Sequence, residues 1–187
     1  MSFRGFGGVT TLPATAVPCF GTTLSVAAVI NPDQFTGRIT AGSNRSNAVL
    51  SVANSVPFRV GDRVAIGTAI QFEQGNTVAA DGGTVIAVGA GTITVQGLQR
   101  SHASGEFVVL ALTVGTIGIQ VLGASSSFLY IAEDGTAGAG SPTLLFGLAA
   151  NGTYQFGVSP TANCLDTQKL WIQGGAGSQI IPSFITV

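Results

Sequence analysis

The chain predicts an all-β protein: a small β-barrel-like module followed by a β-sandwich, with an extended N-terminal arm. Three observations carry that prediction. Apolar and β-branched residues recur at period two in many short runs, and no window shows the 3.6-residue period of an amphipathic helix. Glycine is abundant, 27 of 187 residues, and falls between those runs together with Asn, Asp, Ser and Pro, which is the chemistry of tight turns. Only 8% of the residues are charged, against about 25% in ordinary globular proteins. Such a chain is expected to bury much of its surface against neighbouring subunits.

Residues 1–47 form the expected arm. Pro13, Pro18 and Pro32 and six glycines interrupt any sustained period. Apolar residues remain frequent, among them Phe3, Phe6, Leu12, Val17, Phe20, Leu24, Val26, Val29, Ile30, Phe35 and Ile39. A disordered tail is poor in such residues, so the segment reads as an extended arm lying on a partner surface. Ser43-Asn44-Arg45-Ser46-Asn47 then reads as a polar turn.

Residues 48–112 carry the clearest pattern and read as one self-contained module. Ala48 to Ala53 opens it, and Asn54 to Pro57 is a bend. Val60 to Ile66 alternates apolar and polar side chains, placing Arg59 and Arg63 four positions apart on one face. Thr84 to Val88 and Thr92 to Val95 flank Gly89-Ala90-Gly91, a hairpin signal. Gly97 to Gly105 is a longer turn and Glu106 to Leu112 an apolar strand. Four or five short strands in so little chain suggest a small barrel or a tightly curled sheet.

A boundary is expected at Leu112 to Thr116, and residues 113–187 read as a second strand set. Its strands are Thr116–Leu122, Phe128–Ile131, Pro142–Leu148, Thr153–Val158, Lys169–Gln173 and Ile180–Val187. Between them lie Glu133-Asp134-Gly135, Gly138 to Pro142, Asn151-Gly152, Ser159-Pro160 and Gly174 to Gly177. Six strands at this spacing predict a small sandwich.

Charge and cysteine usage exclude several function classes. Seven basic and eight acidic residues leave a net charge of −1, which favours association over a free monomer. With six Arg, the single Lys169 and no basic stripe, nucleic acid is not an expected partner. Mean hydropathy is +0.50, yet no run of about 18 apolar residues occurs. Most strands are also shorter than the roughly ten residues of a membrane barrel, so no membrane is expected. The N-terminus lacks an apolar signal core, so Sec export is not expected. Asn151-Gly152-Thr153 matches a glycosylation acceptor but reads as an Asn-Gly turn. Cys19 and Cys164 are expected to be buried free thiols, with a disulfide between them left open.

No catalytic, cofactor-binding or metal residue is expected. One His and two distant Cys do not build a usual zinc site. A Ser-His-Asp arrangement through His102 with Ser101 or Ser104 lacks a nucleophile elbow, and His102 in a glycine-bounded turn is expected to bond backbone carbonyls. Glu133-Asp134 reads as a solvated loop, with a calcium-ligand pair as the minor alternative. Arg59 and Arg63 read as surface residues or an intersubunit ion pair. No glycine-rich segment fits a phosphate-binding loop.

Two sets of residues carry a resemblance. The run Phe58-Arg59-Val60-Gly61-Asp62-Arg63-Val64, with Gly83 to Val88, Ile93 to Leu98, His102 and Gly105, resembles a β-module of tailed-bacteriophage virion proteins. The region after residue 113, with Leu129-Tyr130-Ile131, its Asn-Gly turn and Leu170-Trp171-Ile172, is similar in style to phage head-decoration β-domains. The resemblance covers about 140 residues. It implies a non-enzymatic capsid decoration or cement protein on the virion surface, assembled in the host cytoplasm. Its implied partners are the major capsid protein and itself, as a homotrimer, in the service of head stabilisation. No site residue and no cofactor transfers with it. The alternative is a phage tail or fibre component that binds host-surface glycan, for which exposed aromatic residues would be expected.

Overall fold

The computed structural model describes residues 2–5, 8–29, 47–72, 81–122, 129–132, 144–149, 151–157 and 165–186. Among them the regular structure is strand, apart from two single 3-10 turns, Ala69–Phe72 and Thr167–Lys169. All the sheet pairing is antiparallel and falls into three sheets. The N-terminal segment supplies four short strands, β1 (Ser2–Gly5), β2 (Thr10–Thr11), β3 (Val17–Pro18) and β4 (Gly21–Thr23).

The barrel is built from β4 with β5 (Asn47–Ser51), β6 (Arg63–Gly67), β7 (Asp81–Gly89), β8 (Thr92–Gln96) and β9 (Phe107–Leu110). Their order is β4-β9-β6-β7-β8-β5. The two end strands then meet. Leu24 and Val52 form an antiparallel bridge, Ser25 N donates to Ser51 O at 2.9 Å, and Ala53 N donates to Thr23 O at 2.9 Å. The curled sheet thereby closes on itself, which removes the open edges that a flat six-stranded sheet would expose.

Strand alternation sorts the barrel side chains. Val64 and Ile66 of β6, Ile93 and Val95 of β8, and Val108 and Leu110 of β9 are buried in the interior with Phe20, Leu24, Leu50, Val85 and Leu98. The intervening residues face outward. Gly83 shows how tightly the interior is filled, since a Cβ there would lie 2.4 Å from Val95 Cγ1 and 2.8 Å from Gln96 O. The β7–β8 hairpin turns through Ala90 and Gly91, with Gly89 opposite Thr92. Gly91 has φ +66°, a conformation that glycine adopts without a steric cost.

The sandwich uses β10 (Thr113–Val121), β11 (Leu129–Ala132), β12 (Leu144–Leu148), β13 (Thr153–Gly157), β14 (Leu165–Asp166), β15 (Trp171–Gln173) and β16 (Gln179–Thr186). One sheet runs β1-β16-β10-β13, with β2 also on β16 and β14 on β10; the other runs β12-β11-β15-β3. Ile117, Ile119, Val121, Leu148, Leu170, Ile172, Ile180 and Phe184 belong to the same hydrophobic cluster as the barrel interior. Phe20 and Phe184 make an edge-to-face contact at 5.5 Å that links the two parts.

Two further contacts fasten barrel to sandwich. Ala65 and Val109 are cross-strand partners whose side chains face outward, and the small Ala65 leaves room for Trp171 of β15. The indole is fully buried there, with Phe72 at 5.6 Å and Phe107 at 5.2 Å. The buried Thr167 hydroxyl donates to Leu110 O at 2.6 Å and accepts from Leu112 N at 3.0 Å. It satisfies the backbone where β9 leaves the barrel and β10 begins, next to the expected boundary.

Three expectations are corrected. The central module is not self-contained, because its sixth stave comes from residues 21–24. The N-terminal arm, in its described residues, is not a bare extended arm but four short strands that pair with β16, β15 and β9. The strand read as Val60–Ile66 begins only at Arg63, because Gly61 has φ +93° and Asp62 Oδ2 accepts from Arg59 N at 2.7 Å. Arg59 is therefore on a turn and does not share a strand face with Arg63. Asn151, at φ +59°, takes the left-handed conformation of the expected Asn-Gly turn. The turns at 43–46, 133–135, 138–142 and 159–160 lie outside the described residues.

If closure depends on the N-terminal stave, Leu24→Ala removes interior packing at the seam. It is expected to lower stability by about 2–5 kcal/mol, measured by urea unfolding. A loss below about 1 kcal/mol would mean that the seam is not part of the packed core.

Candidate functional site

Among the described residues, the charged groups that the fold buries form two clusters. In the first, β7 begins with Asp81 and the 97–106 turn carries His102 and Glu106. His102 Nδ1 lies 2.7 Å from Glu106 Oε2, and Nε2 lies 3.3 Å from Asp81 Oδ2. Asp81 Oδ2 also accepts from Gln99 N at 2.6 Å and Arg100 N at 2.8 Å, and its Oδ1 accepts from Gly82 N at 3.1 Å. Glu106 Oε1 accepts from Ala103 N at 3.1 Å. The backbone of His102 pairs in both directions with Ala28 at 2.8 Å. A buried carboxylate is tolerated when it is paired and fully hydrogen-bonded, and here the bonds shape the turn around it.

This corrects the expectation that His102 bonds backbone carbonyls through its ring; the ring faces two carboxylates. It does not assemble a hydrolytic triad with Ser104, whose Oγ donates to Ser25 O at 3.0 Å. The two carboxylates sit on opposite ring nitrogens and do not converge on one point. Among the described residues no group of three His, Cys, Asp or Glu side chains is arranged to hold a metal ion. Glu133 and Asp134 lie outside the described residues.

The second cluster joins β1 to the bend before β6. Arg4 Nη1 donates to Asp62 Oδ1 at 2.7 Å and Nη2 to Asp62 Oδ2 at 2.5 Å. Nη2 also donates to Pro57 O. The guanidinium lies over the Phe184 ring, 5.6 Å from its centroid, and both members of the pair are buried. Sequence reasoning did not single out Arg4. Its partner is 58 positions away, and no local pattern links a lone N-terminal arginine to a Gly-Asp turn.

Trp171, the single tryptophan, is enclosed between barrel and sandwich and is not one of the exposed aromatic residues that sugar stacking requires. Cys19 is a buried free thiol, and Cys164 lies outside the described residues. A groove of about 520 Å³, lined by Arg63, Gly82, Leu112, Asp166 and Gln168 among others, runs along the same junction. Its carboxylate, Asp166, is already engaged by Gln168, through the backbone N at 3.1 Å and Nε2 at 2.7 Å.

The outer face of the barrel away from the sandwich is different in character. Val49 opposes Thr94, and Thr94 opposes Ala87. A bulge between Val85 and Ala87 inserts Ile86. Gly61 N donates to Val85 O at 2.8 Å, which brings Val60 alongside. Val49 and Val60 are each 67% exposed, and Ile86 is partly exposed. The strands β5 and β8, and β7 from Gly82 to Gly89, contain no charged residue. Exposed apolar side chains thus stand on β5 and β7, on either side of Thr94 of β8.

No family model, no curated protein and no solved structure matches this chain.

Arg4→Met leaves the Asp62 carboxylate buried without its countercharge, and a loss of about 3–5 kcal/mol is expected. Adding Asp62→Asn should return part of that loss in a double-mutant cycle; strictly additive losses would show that the two side chains do not act as a pair.

Burial pushes the Cys19 thiol well above its ordinary pKa, because desolvation penalises the thiolate. The unfolded thiol ionises near pH 8.5, so the stability linked to this group is complete below about pH 8.5 and is lost as pH rises toward the folded value. Between pH 8 and 10 the native protein is expected to lose stability more steeply than Cys19→Ala, by up to about 1.4 kcal/mol per pH unit. Equal slopes would contradict an un-ionised buried thiol.

Proposed function

We propose that this chain is a non-enzymatic structural protein of a bacteriophage virion, a decoration or cement protein that binds the assembled head lattice and stabilises it. The observation that carries the reading is the division of labour between charged and uncharged surface. Arg4, Asp62, Asp81, His102 and Glu106 are engaged in holding the fold together. The outer barrel face of Val49, Ile86 and Ala87 lies on strands without charge, with Val60 beside it. A protein that works by covering a large protein surface uses such a face; a chemical catalyst needs accessible reactive groups.

The partners in this reading are the major capsid protein and further copies of the chain, with a trimer implied by the resemblance to decoration proteins. Binding only to the assembled lattice adds the binding free energy to shell stability by linkage. The glycan-binding alternative draws less support, because Trp171 is enclosed and unavailable for stacking.

Light scattering is expected to give a multiple of 18.7 kDa, and heads lacking the protein should release DNA on milder heating than complete heads. Val49→Lys with Val60→Lys should reduce occupancy on heads at least tenfold while shifting unfolding stability by about 1 kcal/mol or less. A clean monomer would remove the oligomer, equal thermal release the cement role, and unchanged occupancy this face as the contact.

A further inference from the structure

The N-terminal segment adds the end strand to every sheet of the molecule. β1 and β2 lie along β16, β3 lies on β15, and β4 lies on β9. The same segment places Arg4, Leu12, Cys19, Phe20 and Leu24 in buried positions. Three of its four strands, β1, β2 and β3, are paired on one side only among the described strands. The fourth, β4, meets the chain after β5 through the Leu24–Val52 bridge, its two flanking hydrogen bonds and the bond from Asn54 N to Thr22 Oγ1. The rest of the chain can therefore receive β1, β2 and β3 at open sheet edges, and β4 at the seam between β9 and the end of β5.

The chain length behind the segment exceeds what its own docking needs. Ala28 is bridged to His102, and Asn47 is paired with Gln96. Gln96 and His102 are six residues apart, so they are separated by at most about 20 Å. With two interstrand spacings of about 5 Å, the whole span is no more than about 30 Å. Residues 30–46 connect Val29 to Asn47, and a segment of that length reaches about 60 Å when extended.

We propose that residues 2–29 are exchanged between copies of this chain, each copy completing the three sheets of a neighbour and placing Ala28 on that neighbour's His102. The contacts made in exchange are those of the single chain: the β16 edge, the β15 edge, the β9–β5 seam and the Asp62 pocket for Arg4. Their free energy is the same whichever copy supplies the segment, so tether reach and concentration decide the outcome. A segment joined through a linker of this length is held at an effective concentration of the order of millimolar. Exchange therefore becomes appreciable where copies stand at about that local concentration, as in an oligomer or array. The inference does not rest on the proposed function, since a shell-binding protein is compatible with a segment docked in either way.

The test uses two full-length chains, both carrying Cys164→Ser. One carries Thr11→Cys and the other Gln179→Cys. These positions are exposed cross-strand partners, and in an unexchanged molecule the two new thiols are on different proteins. The chains are mixed in denaturant, refolded together at about 10 µM and at about 1 mM, and treated with a short bifunctional maleimide. A chain carrying both substitutions verifies that the pair is cross-linked within one molecule. Each of the two chains treated alone, carrying one introduced cysteine besides the buried Cys19, sets the background. The expected result is a covalent heterodimer on a denaturing gel, well above background at the higher concentration and falling on dilution. Heterodimer at background level at both concentrations, with the doubly substituted chain cross-linked internally, overturns the exchange. Failure of the doubly substituted chain to cross-link overturns the placement of β2 on β16 on which it is built.

Discussion

Closure of the barrel depends on a few hydrogen bonds made by residues far from it in sequence. Without Gly21 to Leu24, the curled sheet would expose the β9 edge on one side and the β5 edge on the other. Such edges invite pairing with any available strand. The interior would also open, because Phe20 and Leu24 pack among Val64, Ile66, Val85 and Ile93. The same N-terminal segment completes both sandwich sheets. One length of extended chain thus ties together three sheets that otherwise meet only at their junctions.

Charge scarcity shapes how this is done. The buried charged groups are placed where a loop must be held to a sheet. Asp62 fixes the bend before β6 and receives Arg4 from the N-terminal strand. Asp81 and Glu106 organise the 97–106 turn around His102, whose backbone in turn holds Ala28. In both clusters the carboxylate is satisfied by backbone N–H groups as well as by a cationic or imidazole side chain, the condition under which a buried charge is not a liability.

The barrel and the sandwich share one hydrophobic cluster, and the contacts at their junction are specific. Trp171 fills the space left by Ala65, Phe20 meets Phe184 edge to face, and Thr167 satisfies the backbone between Leu110 and Leu112. Surfaces used in this way are consumed by the fold. On the opposite side of the barrel, Val49, Ile86 and Ala87 lie on strand segments without charged residues, with Val60 alongside, and the fold does not use this face.

The all-β class, the glycine turns, the β7–β8 hairpin and the Asn151 turn were legible in the sequence, because each depends on period-two alternation or on local backbone preference. The fate of the N-terminal segment was not. Its apolar residues indicated a surface to cover, but nothing local distinguishes a neighbour's sheet edge from the chain's own. The Arg4–Asp62 pair and the carboxylates around His102 were equally hidden, since they join residues 58, 21 and 4 positions apart that share no repeat. Only tertiary structure decides such pairings, because they depend on which strand edges and buried charges remain unsatisfied once the sheets have formed.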